Sequence, residues 1–186
     1  YTILAPEMSP IHFPIIEAAV QREGYHIEII PPIHEDIDKG LSCVNNDACY
    51  PAIITIGSLM RALTSGKYDL SKTAVMLSQT GGMCRASNYV GFLHKALDEA
   101  GLSDIPVISL NTHGFEPQPG FHFSLSMGRR MIQAVIYGDA LQQCLYRTRP
   151  YEKEPGSAET LCRSWQKRCI EAILSGESYT SYKKNI

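Results

Sequence analysis

The sequence predicts a three-layer α/β fold on a parallel sheet of about four strands, with additional helices at its C-terminal end. Three observations predict it. Short apolar runs rich in Ile, Val and Leu recur along the chain, each bounded by turn-forming residues. Segments of helical period alternate with those runs. Glycines follow the first three helical segments, where a left-handed residue ends a helix at little cost. Helix–Gly–strand repeats in series are not the pattern of an all-β fold or a helical bundle.

The strands are expected at Thr2–Ala5, His26–Ile30, Thr73–Leu77 and Pro106–Leu110. They show little polar alternation, as parallel strands covered on both faces should. Ile16, Ala19 and Val20 share one face of a first helix that runs to about Glu23. Ile53, Ile56, Leu59, Met60 and Leu63 form a second stripe, and Tyr89, Phe92, Leu93, Ala96, Leu97 and Ala100 a third. Gly24, Gly66 and Gly101 close these three helices. A longer helix is expected from about Ser124 to Leu145, and a last one from about Ala158 to Leu174 with Ser157 as its N-cap. Right-handed crossovers restrict the strand order, and a flavodoxin-like order with its switch point between the first and third strands is expected. Residues 1–150 are read as an α/β cluster- or ligand-binding domain and 151–186 as a helical extension packing on it. Together they make one structural domain. The chain opens on Tyr1 directly into an apolar run, so it is read as a piece of a longer protein.

Composition narrows the classes. With 186 residues, a sizeable core is within reach. A hydrophobic share of 44% against 19% charged excludes a disordered chain. A formal charge of -2 gives no global attraction to nucleic acid or an anionic membrane. No apolar run approaches the roughly 20 residues of a membrane span, and no signal peptide is visible. Six irregularly spaced cysteines in a helix–strand pattern argue against a disulfide-stapled secreted fold. A reducing compartment is expected.

In such sheets, ligands bind beyond the carboxyl ends of the strands. Four loops should meet there: Pro6–His12, Asn45–Pro51, Ser78–Asn88 and Asn111–Gly114. Cys49 and Cys84 each stand close to the start of a helix, and Pro51 suits the first turn of one. Exposed N–H groups and the positive dipole end favour a thiolate, which is a soft ligand for iron. Burial as a small hydrophobe is the rival reading for any cysteine. It is the expectation for Cys144, Cys162 and Cys169, the last two sharing a helical face with Trp165. Cys43 is left open. The absence of a Cys-x-x-Cys pair argues against a zinc ribbon. Two thiols do not complete a cluster, so further ligands must come from Cys43, a Ser or His, or another domain or subunit.

Other residues in these loops admit two readings each. Thr80-Gly81-Gly82-Met83-Cys84 resembles a phosphate-cradling loop but lacks the Lys-Ser/Thr ending, and its glycines serve equally for a sharp strand-to-helix turn. Arg85 could lower the Cys84 thiol pKa or bind an anion. His12 and His113 could meet as an acid–base pair or as ligands, or be solvated. Glu7 and Asp47 could be turn residues. Arg129, Arg130, Arg147 and Arg149 are expected on a solvated face, or on a contact surface for another domain.

Several strings in these loops resemble a known family. They are Tyr1-Thr-Ile-Leu-Ala-Pro6, Met8-Ser-Pro-Ile-His-Phe13, Val44-Asn-Asn-Asp-Ala-Cys-Tyr-Pro51 and Ser78-Gln-Thr-Gly-Gly82. Further matches are Cys84-Arg-Ala-Ser-Asn-Tyr89, Pro106-Val-Ile-Ser-Leu-Asn111, Tyr137-Gly-Asp139 and Leu145-Tyr-Arg-Thr-Arg-Pro-Tyr151. Together they resemble the C-terminal, dehydratase-component-like region of the large activase-related proteins of the 2-hydroxyacyl-CoA dehydratase system. The resemblance implies a [4Fe–4S] or related cluster and ATP-driven, low-potential electron transfer in an anaerobic, cytoplasmic setting. It carries Cys49 and Cys84 over as metal ligands. The ATPase motifs of the activator are missing from this chain, so ATP hydrolysis belongs elsewhere in the parent.

The expected function is therefore an iron–sulfur redox domain. Arg85, Gly81 and Gly82 would tune the cofactor, and Asn45, Asn46, Ser87 and Asn88 would organise its loops. The alternatives are a metal-free acyl-CoA or phosphate-ligand binding module and an inter-domain docking domain. Expected partners are the rest of the parent chain, with its ATPase-type activator modules, and an acyl-CoA; a homodimer is left open. Neither nucleic acid nor a membrane is expected.

Overall fold

The computed structural model describes residues 1–45, 47–79, 82–111, 120–177 and 180–181. In chain order the elements are β1 (Thr2–Pro6), α1 (Phe13–Gln21), β2 (His26–Ile30), α2 (Glu35–Cys43), α3 (Tyr50–Thr64) and β3 (Thr73–Gln79). Then come α4 (Tyr89–Glu99), β4 (Val107–Asn111), α5 (Leu125–Thr148) and α6 (Ser157–Ser175). The protein is α/β. Its sheet has four strands, all parallel, in the order β2-β1-β3-β4. The chain steps from β1 to one side and returns to the other, so the switch point lies between β1 and β3 as expected. In register, Thr2 faces His26 of β2 and Thr73 of β3, and Val75 faces Val107 of β4.

Contacts gather the chain into two compact units. The first comprises residues 1–8 and 26–122, and the second 9–25 and 123–186.

In the first unit, Leu4, Val75, Leu77 and Val107 of the sheet pack with Ile56, Leu59 and Met60 of α3 and Leu93 and Leu97 of α4. Their strand neighbours Ile3, Ile27, Met76 and Ile108 are buried as well. Burial of successive residues, which point to opposite faces, explains why the strands carry no polar alternation. Gly24, Gly66 and Gly101 take φ of 89°, 73° and 68°, the left-handed turn read from the sequence.

The α2–α3 contact is the tightest in this unit. A Cβ on Gly40 would overlap the Ile53 carbonyl, and one on Gly57 would overlap the Asp36 carbonyl. Beside these glycines, the Arg61 Nε donates to Asp36 Oδ1 at 2.5 Å, and its Nη2 donates to the Pro31 carbonyl at 3.0 Å. Asp36 is fully buried, and its Oδ2 also accepts the Ile33 N–H at 2.8 Å. The carboxylate is thus paired and hydrogen-bonded, the condition under which a buried charge is tolerated.

The second unit is a cluster of three helices. Ile15, Ala18 and Ala19 of α1 meet Ala134 and Tyr137 of α5, and Cys169, Ala172 and Ile173 of α6. Trp165 packs at the edge of this cluster, with the Arg168 guanidinium 4.8 Å from its ring centre. Ser124 caps α5, accepting the Met127 N–H at 2.9 Å and donating to Glu23 at the same distance.

Three expectations are corrected here. Ser157 is not the N-cap of α6: that position is Gly156, at φ 86°. The Glu152 carboxylate does the capping, accepting the Gly156 N–H at 2.8 Å and the Ala158 N–H at 3.0 Å. These bonds hold the Glu152 carboxyl below its ordinary pKa. Arg130 is not solvated, because its Nε lies 3.5 Å from Glu23 and its side chain is largely covered. Cys144 is exposed on α5, whereas Cys162 and Cys169 are buried as expected, burial pushing the Cys162 thiol pKa up.

Candidate metal and ligand site

The site begins with two helix starts in the first unit. Cys49 is the N-cap of α3, in extended backbone at φ -67° and ψ 149°. Cys84 is the N-cap of a short 3-10 turn, Arg85–Asn88, with nearly the same angles, φ -80° and ψ 151°. Neither side chain spends itself on capping its own helix. Both cysteines thus leave the backbone in the same extended conformation, and Cys49 stands at the positive dipole end of α3. Cys49 is half-buried against the core and Cys84 is exposed, so neither is sealed in hydrocarbon.

Tyr89 stands beside Cys49. It is the first residue of α4 and is only 6% exposed, yet its phenol needs a polar partner. The Cys49 sulfur lies 3.8 Å from its hydroxyl. Burial chiefly, then the Cys49 hydrogen bond and the charges of the Cys49 and Cys84 thiols, push the Tyr89 pKa up to about 12. At neutral pH the hydroxyl keeps its proton and can donate to a sulfur.

A hydrogen bond joins the two loops. Arg85 Nη1 donates to the Asp47 carbonyl at 2.5 Å, tying the turn after Cys84 to the loop before Cys49. The Cys84 carbonyl accepts both the Ser87 N–H, at 3.1 Å, and the Ser87 hydroxyl, at 2.8 Å. The Gln79 side-chain amide, at the end of β3, donates to the Ser87 carbonyl. Asn45 is exposed, and its carbonyl accepts the Ala48 N–H at 2.9 Å in the turn before Cys49. Asn88 caps α4 by position only, and its side-chain oxygen lies where a Cβ on Gly91 would stand. Gly82 is exposed, with open space where a side chain would project. Asn46, Thr80, Gly81 and His113 lie outside the described residues.

The remaining candidates fall elsewhere. Cys43 ends α2, half-buried, with the Ser42 hydroxyl 3.7 Å from its sulfur. Glu7 stays beside the sheet, its N–H bonded to the Ile30 carbonyl, and burial pushes its carboxyl pKa up. His12 belongs to the second unit, where its Nδ1 meets Ser9 Oγ at 2.8 Å and its Nε2 meets Asp139 Oδ1 at 3.0 Å. Gly138 leaves the room the imidazole occupies, since a Cβ there would overlap the ring. The Gln166 side chain donates to the Pro10 and Ile11 carbonyls at 2.8 and 3.0 Å, fixing the loop that carries His12.

Among the described residues, no group of three or more His, Cys, Asp or Glu is arranged to hold a metal ion. Two soft donors, one with a phenol beside it, suit part of an iron–sulfur site and do not by themselves complete one. Among the described residues, too, no helix is long and apolar enough to cross a membrane. No family model, curated protein or solved structure matches the chain.

Proposed function

We propose that the first unit is an iron–sulfur redox domain in which Cys49 and Cys84 ligate the cluster. The observation that carries this reading is the hydrogen bond from Arg85 to the Asp47 carbonyl, which ties the turn after Cys84 to the loop before Cys49, where the Tyr89 hydroxyl lies 3.8 Å from the Cys49 sulfur. A cluster bound there supplies one-electron transfer. With Cys49 bound as a thiolate, the Tyr89 hydroxyl would donate to its sulfur, and such hydrogen bonds raise a cluster's potential. Arg85 holds the two thiol-bearing loops together through the Asp47 carbonyl. Asn45 and Ser87 shape the turns before and after the thiols. The other ligands come from a further segment, domain or subunit. On the family resemblance, the partner is an ATPase-type activator module of the parent protein, in the cytoplasm.

The test is iron and sulfide analysis, with EPR, on protein purified and reconstituted without oxygen. The unaltered chain should take up iron and sulfide and absorb near 400 nm. Cys49→Ala and Cys84→Ala, alone or together, should abolish most of that uptake while leaving the melting temperature nearly unchanged. Equal iron in the double variant and its parent would refute the assignment.

The metal-free reading as an acyl-CoA or phosphate-ligand module has one observation in its favour. Arg85 is exposed beside the open backbone at Gly82, at the start of a 3-10 turn. Calorimetry with a CoA ester on metal-free protein decides it: binding lost in Arg85→Ala supports this reading, and no heat with the unaltered chain removes it.

A further inference from the structure

The long helix α5 has two faces of opposite character. Met127, Ala134, Tyr137 and Leu145 are buried within the second unit. On the other side of the same helix, Leu125 is 76% exposed, Ile132 63% and Ile136 41%. Arg129, Asp139 and Gln143 are exposed along the same line. The order Leu125, Arg129, Ile132, Ile136, Asp139, Gln143, Tyr146 alternates steps of four and three, the repeat of a coiled-coil seam. Large apolar side chains in a row at that spacing, left in water, mark an interaction surface.

The order of residues within the seam selects its occupant. When two copies of one helix lie antiparallel about a two-fold axis, residues equally distant from the axis face each other. With the axis at Ala134, Ile132 faces Ile136 of the other copy, and Arg129 faces Asp139. One step further out, Leu125 faces Gln143. The axis repeats each pairing, which makes four isoleucines at the centre flanked by two equivalent Arg–Asp ion pairs. Shifting the axis by half a heptad opposes charge to isoleucine. This self-complementarity is what an isologous interface requires, and an unrelated partner would have no need of it. The seam runs for about 30 Å of helix at 1.5 Å per residue. Asp139 Oδ1 accepts from His12, yet the side chain remains 71% exposed and so can meet a second cation.

We infer that the outer face of α5 is a self-association surface, on which two copies of this chain pair antiparallel through Ile132 and Ile136 with Arg129 opposite Asp139.

The experiment is sedimentation equilibrium of the full chain and three charge variants, across a range of protein concentration. The unaltered chain should dimerise. Arg129→Asp sets Asp against Asp, and Asp139→Arg sets Arg against Arg, so each alone should weaken association by about ten-fold or more. The double variant R129D/D139R restores opposite signs at every contact and should recover dimer affinity. Mixing the two single variants should give a heterodimer that forms more tightly than either forms with itself. That mixture also controls for folding, because a variant misfolded through loss of the His12 contact could not join it. A chain that stays monomeric, whether because another protein covers this face or because nothing does, overturns the inference. So do single variants that associate like the parent, or a double variant that does not recover. None of these outcomes depends on iron content, so the metal assignment stands or falls separately.

Discussion

The α2–α3 pair of the first unit and the α1–α5 pair of the second both use glycine where a side chain would not fit, but the obstacles differ. Gly40 and Gly57 face backbone carbonyls, those of Ile53 and Asp36. Gly138 faces the imidazole of His12, a side chain held by two hydrogen bonds. A carbonyl within a helix can move only if the helix moves. An imidazole can swing away at the cost of its bonds. The first contact is therefore rigid, and the second can yield locally.

The largest expected effect comes from the ion pair that locks the rigid contact. Asp36→Ala leaves Arg61 and the Ile33 N–H without their acceptor and should destabilise the chain by about 3 kcal/mol in urea unfolding. That figure lies at the low end for a broken buried pair, because the Arg61 side chain is 31% exposed. Gly57→Ala comes next. Overpacking against a carbonyl costs about 3 kcal/mol, and better helix propensity returns about 1, for a net loss of about 2 kcal/mol. No second substitution among neighbouring side chains should recover it.

Gly138→Ala should have the smallest effect, a loss of at most about 1 kcal/mol, since the same helical gain offsets the displaced ring. Its sign sharpens the comparison. In a His12→Ala background the obstacle is gone, and Gly138→Ala should then stabilise by about 1 kcal/mol. A destabilising Gly138→Ala in that background would mean that something other than the imidazole fills the space.

Much of the fold was legible because periodicity and punctuation agreed. Apolar runs without alternation marked strands buried on both faces, and glycines marked where the first, third and fourth helices end. Helix α2 was harder to read: Glu35, Asp36, Ile37, Asp38 and Lys39 carry one apolar residue in five, and Asp36 is buried only because Arg61 answers it from 25 residues away. The cap of α6 was misread for a similar reason. A serine just before a helix is the common signal, but the acceptor is the Glu152 carboxylate, four residues before the left-handed Gly156 that occupies the cap position.

The candidate site was half legible. Cys49 and Cys84 stood out by position, and both are helix-start residues. Tyr89 was assigned to an apolar stripe, which its burial justifies, and its polar end went unnoticed. A buried phenol one turn after a cysteine loop was the available clue. The link between Arg85 and the Asp47 carbonyl could not be read, because it depends on how two loops distant in sequence approach one another. The sequence offers His113, which lies outside the described residues, as a companion for His12, whereas the described partners are Ser9 and Asp139, the latter 127 residues on.

Trp165 is the chain's one tryptophan, and it packs in the three-helix cluster. Light absorbed and re-emitted by its indole is thus a local witness. It records the melting of that helical cluster, while circular dichroism, which sums over every peptide group, records the loss of both units. If the two signals change at the same denaturant concentration, the chain unfolds as one cooperative body; if they separate, each half has its own stability, and the optical signature already says which half let go first.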